Sequence, residues 1–250
     1  KRVYNGWGKA EPDAELRFGP NIKDWPEMPA LTNDLLVKVC SYITDPVTTT
    51  DELIPSGETS SYRSNPERLS EFALSRRDPQ YVGRSKVMRQ IERDREAGKA
   101  LPEEVMKVYE ALTKAGIAND PANTDIGSTI FANMPGDGSA REQAASCQRV
   151  MGASANFAKQ YATKRYRSNC INWGMTPFLV EDPEVFELGD YIFVPGIREA
   201  ILENKASFSA YAVKPDGTVT EFPVSTGALT EAERQIIADG CLINYYRNNQ

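Results

Sequence analysis

Residues 35–43 (LLVKVCSYI) form a partly alternating, apolar and β-branched run that predicts a strand. Before it, Gly6, Gly8, Pro12, Gly19, Pro20, Pro26 and Pro29 break any period. Residues 1–31 therefore read as a linker-like segment, and Trp7, Phe18 and Trp25 suggest that it lies along a surface. A hydroxyl-rich loop follows at 46–55. Helical stretches are expected over 65–74, 85–97 and 102–114. In the last of these Val105, Val108 and Leu112 share one face, and Gly98 and Gly116 serve as stops. Residues 128–133 read as a short strand that runs into a glycine-rich turn at 134–141, and a helical pattern continues to 162. Further on, 188–194 reads as a strand and 196–204 as a short helix. The strands 206–213 and 218–224 flank Lys214-Pro-Asp-Gly217, a strong hairpin signal. Residues 229–246 close the chain as a helix, with Thr230 and Glu233 in capping-box spacing. Strands and helices intermix without strict β-α alternation and without an internal repeat. The fold class expected is α/β in layers around a mixed sheet.

Composition narrows the function classes. With 40% hydrophobic and 26% charged residues the chain is ordinary for a folded protein and disorder is excluded. Asp and Glu (35) outnumber Lys and Arg (29), which argues against a nucleic-acid partner or an anionic membrane surface. No apolar run approaches the roughly 18 residues of a membrane span, so a soluble, cytoplasmic protein is expected. The sequence opens on Lys1 rather than Met, which suggests a trimmed or processed part of something larger. Histidine is absent, which removes Ser-His-Asp and Cys-His catalysis and imidazole metal ligation. Cys40, Cys147, Cys170 and Cys241 stand far apart with no C-x-x-C pair. They read as thiols of a reducing compartment, and no metal is expected on this chain alone.

The sharpest chemical feature is Gly136-Asp-Gly-Ser-Ala-Arg-Glu142. Two glycines let the backbone approach a ligand, and the helix start that follows aims N–H groups and a positive dipole end at an anion. Arg141 adds a planar fork for a carboxylate, although a plain glycine turn feeding an ordinary helix is the competing reading. The pattern is neither a P-loop nor a G-x-S-x-G nucleophile elbow. Two weaker features are the basic stretch Arg76-Arg-Asp-Pro-Gln-Tyr-Val-Gly-Arg84, which alone would be a solvated face, and the loop Thr48-Thr-Thr-Asp-Glu52.

Together these stretches resemble the aconitase family. VTTTDELIPSG (47–57) is similar to its V-T-T-D-H-I-S-P-A-G loop, and GDGSARE (136–142) to its G-E-G-S-S-R-E-H motif. FAKQYA (157–162), with Asn169 and MTPF (175–178), resembles S-F-A-R-I…N…G-L-L-P-L-T-F. TVTEFP (218–223) resembles the closing hairpin. The resemblance covers residues 32–250 and implies a three-layer β/β/α swivel domain. That domain would close over a site whose other wall, carrying a [4Fe-4S] cluster and the catalytic histidines, belongs to N-terminal domains of the same enzyme. It further implies a hydro-lyase acting on a hydroxy di- or tricarboxylate such as citrate or isocitrate. Ser139 would be the base and Arg141 a substrate-carboxylate ligand, with Ala140 and Asp51 further substrate-binding positions, Asp51 helping to shape the site. Arg84 best matches a second arginine, with Arg76, Arg77 and Arg63 as alternatives. Alternative readings are a small subunit of the related isopropylmalate isomerase group, and an RNA- or anion-binding module without catalysis. Departures from the family pattern are Ala140 for the second serine, Gln143 for the histidine after S-R-E, and Glu52 for the loop histidine.

Overall fold

In the computed structural model, which describes residues 6–15 and 17–249, the run at 35–43 is the centre of a seven-stranded mixed sheet. The strands are β1 (Asp34–Ile43), β3 (Thr124–Ala132), β5 (Ala153–Ala158), β6 (Thr176–Leu179), β7 (Tyr191–Val194), β8 (Phe208–Val213) and β9 (Val219–Val224). Their order across the sheet is β6-β5-β3-β1-β7-β8-β9. The half from β6 to β1 is parallel, whereas β7, β8 and β9 run antiparallel to their neighbours. A separate parallel pair joins β2 (Thr48–Thr49) to β4 (Pro135–Asp137).

The sheet curls on itself. An isolated antiparallel bridge, Leu179 to Ser225, joins the two ends of the strand order. One apolar core therefore lies inside the curl. Leu35, Val37, Phe131, Phe157 and Phe178 from the parallel half meet Ala210, Phe222 and Val224 from the other half. Phe157 stacks on Phe178 at 4.7 Å between ring centroids. A second core lies between the outer face of the sheet and the helices α2 (Pro66–Ser70), α3 (Tyr81–Glu96), α4 (Glu103–Lys114) and α5 (Arg141–Met151), with Leu36, Cys40, Met88, Leu112 and Ile130 at its centre. Sheet half, sheet half and helices make the β/β/α layering. α7 (Ile197–Leu202) and α8 (Glu231–Asp239) add Ile197, Ile201, Ile236 and Ile237 to the inner core.

Several element boundaries depart from the sequence pattern. The helix expected through residue 162 stops at Met151, because Gly152 adopts φ 113° and ends α5. The chain returns at once as β5, and α6 (Lys164–Asn172) follows. Residues 65–74 yield only the short α2. The closing helix breaks at Gly240 (φ 95°) into α8 and α9 (Leu242–Asn248). The hairpin at 214–217 and the Thr230–Glu233 capping box form as the pattern predicts.

Residues 25–32 are bound to the body. Trp25 packs on Trp173 at 4.3 Å, Asn244 Nδ2 donates to the Met28 carbonyl at 2.6 Å, and Leu31 N donates to the Ala238 carbonyl at 3.1 Å. Thr32 and Asp125 exchange two hydrogen bonds: Thr32 N donates to Asp125 Oδ2 at 3.1 Å, and Asp125 N donates to Thr32 Oγ1 at 2.7 Å.

Candidate active-site wall

The loops that follow β1, β3, β5 and β6 all leave the carboxyl ends of parallel strands, the end where open α/β sheets gather ligands. Side chains and backbone lock these loops together. Asn133 Nδ2 donates to the Thr44 carbonyl at 2.7 Å, and the β2–β4 pair ties the threonine loop to the glycine turn.

Local chemistry shapes each loop. Thr49 caps the short α1 (Thr50–Leu53) in a capping box with Glu52: Thr49 N donates to Glu52 Oε2 at 2.7 Å, and Glu52 N donates to Thr49 Oγ1 at 3.2 Å. Glu52, which replaces a family histidine, is thereby a structural residue. Gly136 (φ 101°) and Gly138 (φ 132°) hold backbone angles that side chains rarely adopt. A Cβ at Gly136 would overlap the Tyr166 ring, and one at Gly138 would overlap Thr50 Oγ1.

Ser139 is exposed on this turn, while Ala140 is buried at the N-cap of α5. Alanine offers no side-chain acceptor, so the first N–H groups of α5 are not capped. Arg141 is the first residue of α5. Its Nε is buried with no hydrogen-bond partner, and its guanidinium has no ion pair among the described residues. A buried, unpartnered N–H is costly, and the partly exposed rest of the guanidinium makes no hydrogen bond to the described residues.

The remaining expected site residues are distributed unevenly. Asp51, on α1, sits beside the same turn through Thr50 and is ion-paired to Arg76 at 2.5 Å, which also reaches Glu58 at 2.6 Å. Arg84 makes its contacts elsewhere. Its Nη1 donates to the Cys40 carbonyl at 3.0 Å and to Asp78 at 2.9 Å, and its Nη2 donates to Gln80 at 2.8 Å. Asp78 also accepts from Ser41 Oγ, so Arg84 bolts α3 to β1. Arg77 is held by Asp45 at 2.7 Å, and Arg63 is exposed.

No group of three or more His, Cys, Asp or Glu side chains is placed to hold a metal ion among the described residues. The four cysteines are free and buried, and burial pushes the Cys40 and Cys170 thiols up to about 12 and the Cys147 thiol higher still. Thiols kept protonated are poor metal ligands, so this chain does not fit a cluster of its own. No helix is long and apolar enough to cross a membrane among the described residues.

The comparisons with known proteins bear on family and fold. No family model matches the sequence. The homoaconitase small subunit of Methanocaldococcus jannaschii is 30% identical over 138 residues, which cover 54% of this chain and 72% of that protein. The chain belongs to the aconitase/isopropylmalate isomerase family, and within it to the small-subunit, or swivel, type. The crystal structure of 3-isopropylmalate dehydratase (leuD) from the same organism superposes on this family member with a TM-score of 0.51. That match covers 86% of this chain and 95% of that one at 19% identity, a likeness of fold. Neither of these relatives is named for citrate or isocitrate, and the curated one is a small subunit, which accords with the small-subunit alternative better than with the citrate reading.

What sequence reasoning missed lies behind the turn. Thr163, the N-cap of α6, donates from Oγ1 to the Gly136 carbonyl at 3.1 Å and accepts from Tyr166 N at 3.2 Å. Gly152, read only as part of a helix, was the signal for this second βα unit.

Proposed function

We propose that this chain forms one wall of a hydro-lyase active site and removes the proton from a hydroxy di- or tricarboxylate. Ser139 acts as base and Arg141 as carboxylate ligand. The observation that supports this most directly is an exposed serine set just before an uncapped helix start, two residues from a partly exposed arginine that has no ion pair among the described residues.

The chemistry asks for such a setting. A proton next to a carboxylate is weakly acidic, and a serine hydroxyl is a poor base in water. The free N–H groups opening α5, the helix dipole and the Arg141 charge all stabilise an alkoxide on Ser139 Oγ. The substrate proton passes to that oxygen, and the Arg141 fork holds a substrate carboxylate as charge builds on it. Asp51 and Arg76 border the site on the α1 side, and Arg84 has a structural role. With no histidine and all four thiols buried, this chain leaves the departing hydroxyl to groups outside it. The family resemblance assigns them to a cluster-bearing large subunit or domain, with its [4Fe-4S] group, as partner. Free thiols fit a cytoplasmic, reducing setting. Substrates to try first are 3-isopropylmalate, in the dehydration direction, and homoaconitate, in the hydration direction where Ser139 returns the proton; these are the chemistries named by the relatives.

In the enzyme reconstituted with its cluster-bearing partner, Ser139→Ala should lower kcat by about 10²–10⁴ with KM changed only a few-fold. A kcat near the unsubstituted value would rule out the base assignment.

A further inference from the structure

The turn that presents Ser139 is held from behind by one element, and α6 does this at three points. At its start, Thr163 Oγ1 donates to the Gly136 carbonyl at 3.1 Å while Ala162 N donates to the Pro135 carbonyl at 2.9 Å. One turn on, the Tyr166 ring fills the space that a Cβ at Gly136 would need. At its end, Trp173 Nε1 donates to Glu142 Oε1 at 3.0 Å, in the first turn of α5. The Tyr166 ring is itself fixed. Its hydroxyl is fully buried and accepts from Gln148 Nε2 on α5 and from Asn156 Nδ2 on β5, each at 3.0 Å. Burial raises the Tyr166 hydroxyl well above its ordinary pKa, so it stays a neutral member of this network. Residues 135–142 are thus gripped at both ends and under the middle. A glycine pair free to turn would otherwise let Ser139 wander.

We propose that Thr163 and Tyr166 are positioning residues for Ser139: a clamp of one hydroxyl and one ring on Gly136 fixes where the Ser139 oxygen stands. The inference rests on the reading of Ser139 as base and deepens it. A displacement of about 1 Å at a reacting group is enough for a hundredfold loss of rate. The clamp therefore acts on kcat, whereas carboxylate binding by Arg141 is set by its own fork.

The test compares Thr163→Val, which cannot donate to Gly136, with Thr163→Ser, which can. The enzyme is reconstituted with its cluster-bearing partner and assayed on 3-isopropylmalate and homoaconitate. Thr163→Val should lower kcat at least about tenfold with KM within about twofold, and Thr163→Ser should restore it. Thr230→Ala, which removes an equivalent cap from α8 away from the turn, should leave kcat unchanged. An unchanged kcat for Thr163→Val overturns the clamp, as does a loss that Thr163→Ser fails to restore or that Thr230→Ala reproduces. Ser139→Ala is run alongside: if it stays active, the base assignment falls instead. Amide hydrogen exchange on the chain alone gives a readout independent of substrate. Thr163→Val should speed exchange at residues 137–143 at least about tenfold with Thr163→Ser unaltered, and no change there also overturns the clamp.

Discussion

Two residues apart, Gly136 and Gly138 do different work. Gly136 admits the Tyr166 ring, while Gly138 lets the turn pass against Thr50 on α1. At Gly138 the backbone φ (132°) is one side chains rarely adopt and a Cβ would overlap Thr50 Oγ1, so Gly138→Ala must move the Thr50 side chain or the turn. Gly138→Ala should destabilise the chain by about 1–3 kcal/mol and lower kcat; thermal unfolding and the dehydration assay check the two effects separately. The pair was legible in the sequence as a tight turn before a helix start, although the letters alone did not separate a ligand-binding turn from a plain one. The fate of the arginines was not. Arg84, Arg76 and Arg141 look alike in a string of letters, but the first is absorbed by Asp78 and the Cys40 carbonyl, the second by Asp51 and Glu58, and only Arg141 is left without a carboxylate. Ion-pair partners of that kind are tertiary facts with no local signature.

Among the elements, those with local punctuation were readable and those without it were not. The hairpin around Lys214–Gly217 and the capping box of α8 carry their instructions within a few residues. By contrast, α5 and β5 form one apolar stretch (Ala144, Ala145, Val150, Met151, Ala153, Ala155, Phe157), because a strand buried on both faces lacks alternation and merges with the helix before it. Gly152 alone separates them. For α8 the capping argument gives a number: Thr230→Ala should cost about 0.5–2 kcal/mol in a denaturant titration. The same variant should not alter turnover, since α8 contributes no group to the turn.

At the scale of the molecule, the stretch 25–32 is fastened to the body partly through Asp125, which lies among Glu92, Arg95 and Arg149. Burial, then the Glu92 charge, raises the Asp125 carboxyl from 3.8 to about 6. Because the folded-state value is the higher one, the stability this group contributes is full below about pH 4 and is lost as pH rises through about 6. Asp125→Asn should therefore be more stable than the unsubstituted chain at pH 8, with the difference closing by about pH 4. Unfolding curves at both pH values check it, and a gap that did not depend on pH would contradict the assignment.

The single Leu179–Ser225 bridge, with N–H···O distances of 2.7 and 3.2 Å, has a consequence for company. It brings the outermost strands β6 and β9 together where an open sheet would expose a row of unpaired backbone groups. The bridge blocks strand addition at that one corner, since β6 and β9 make no other pairing with each other. At that corner a docking protein must be recognised by side chains rather than by adding a strand of its own.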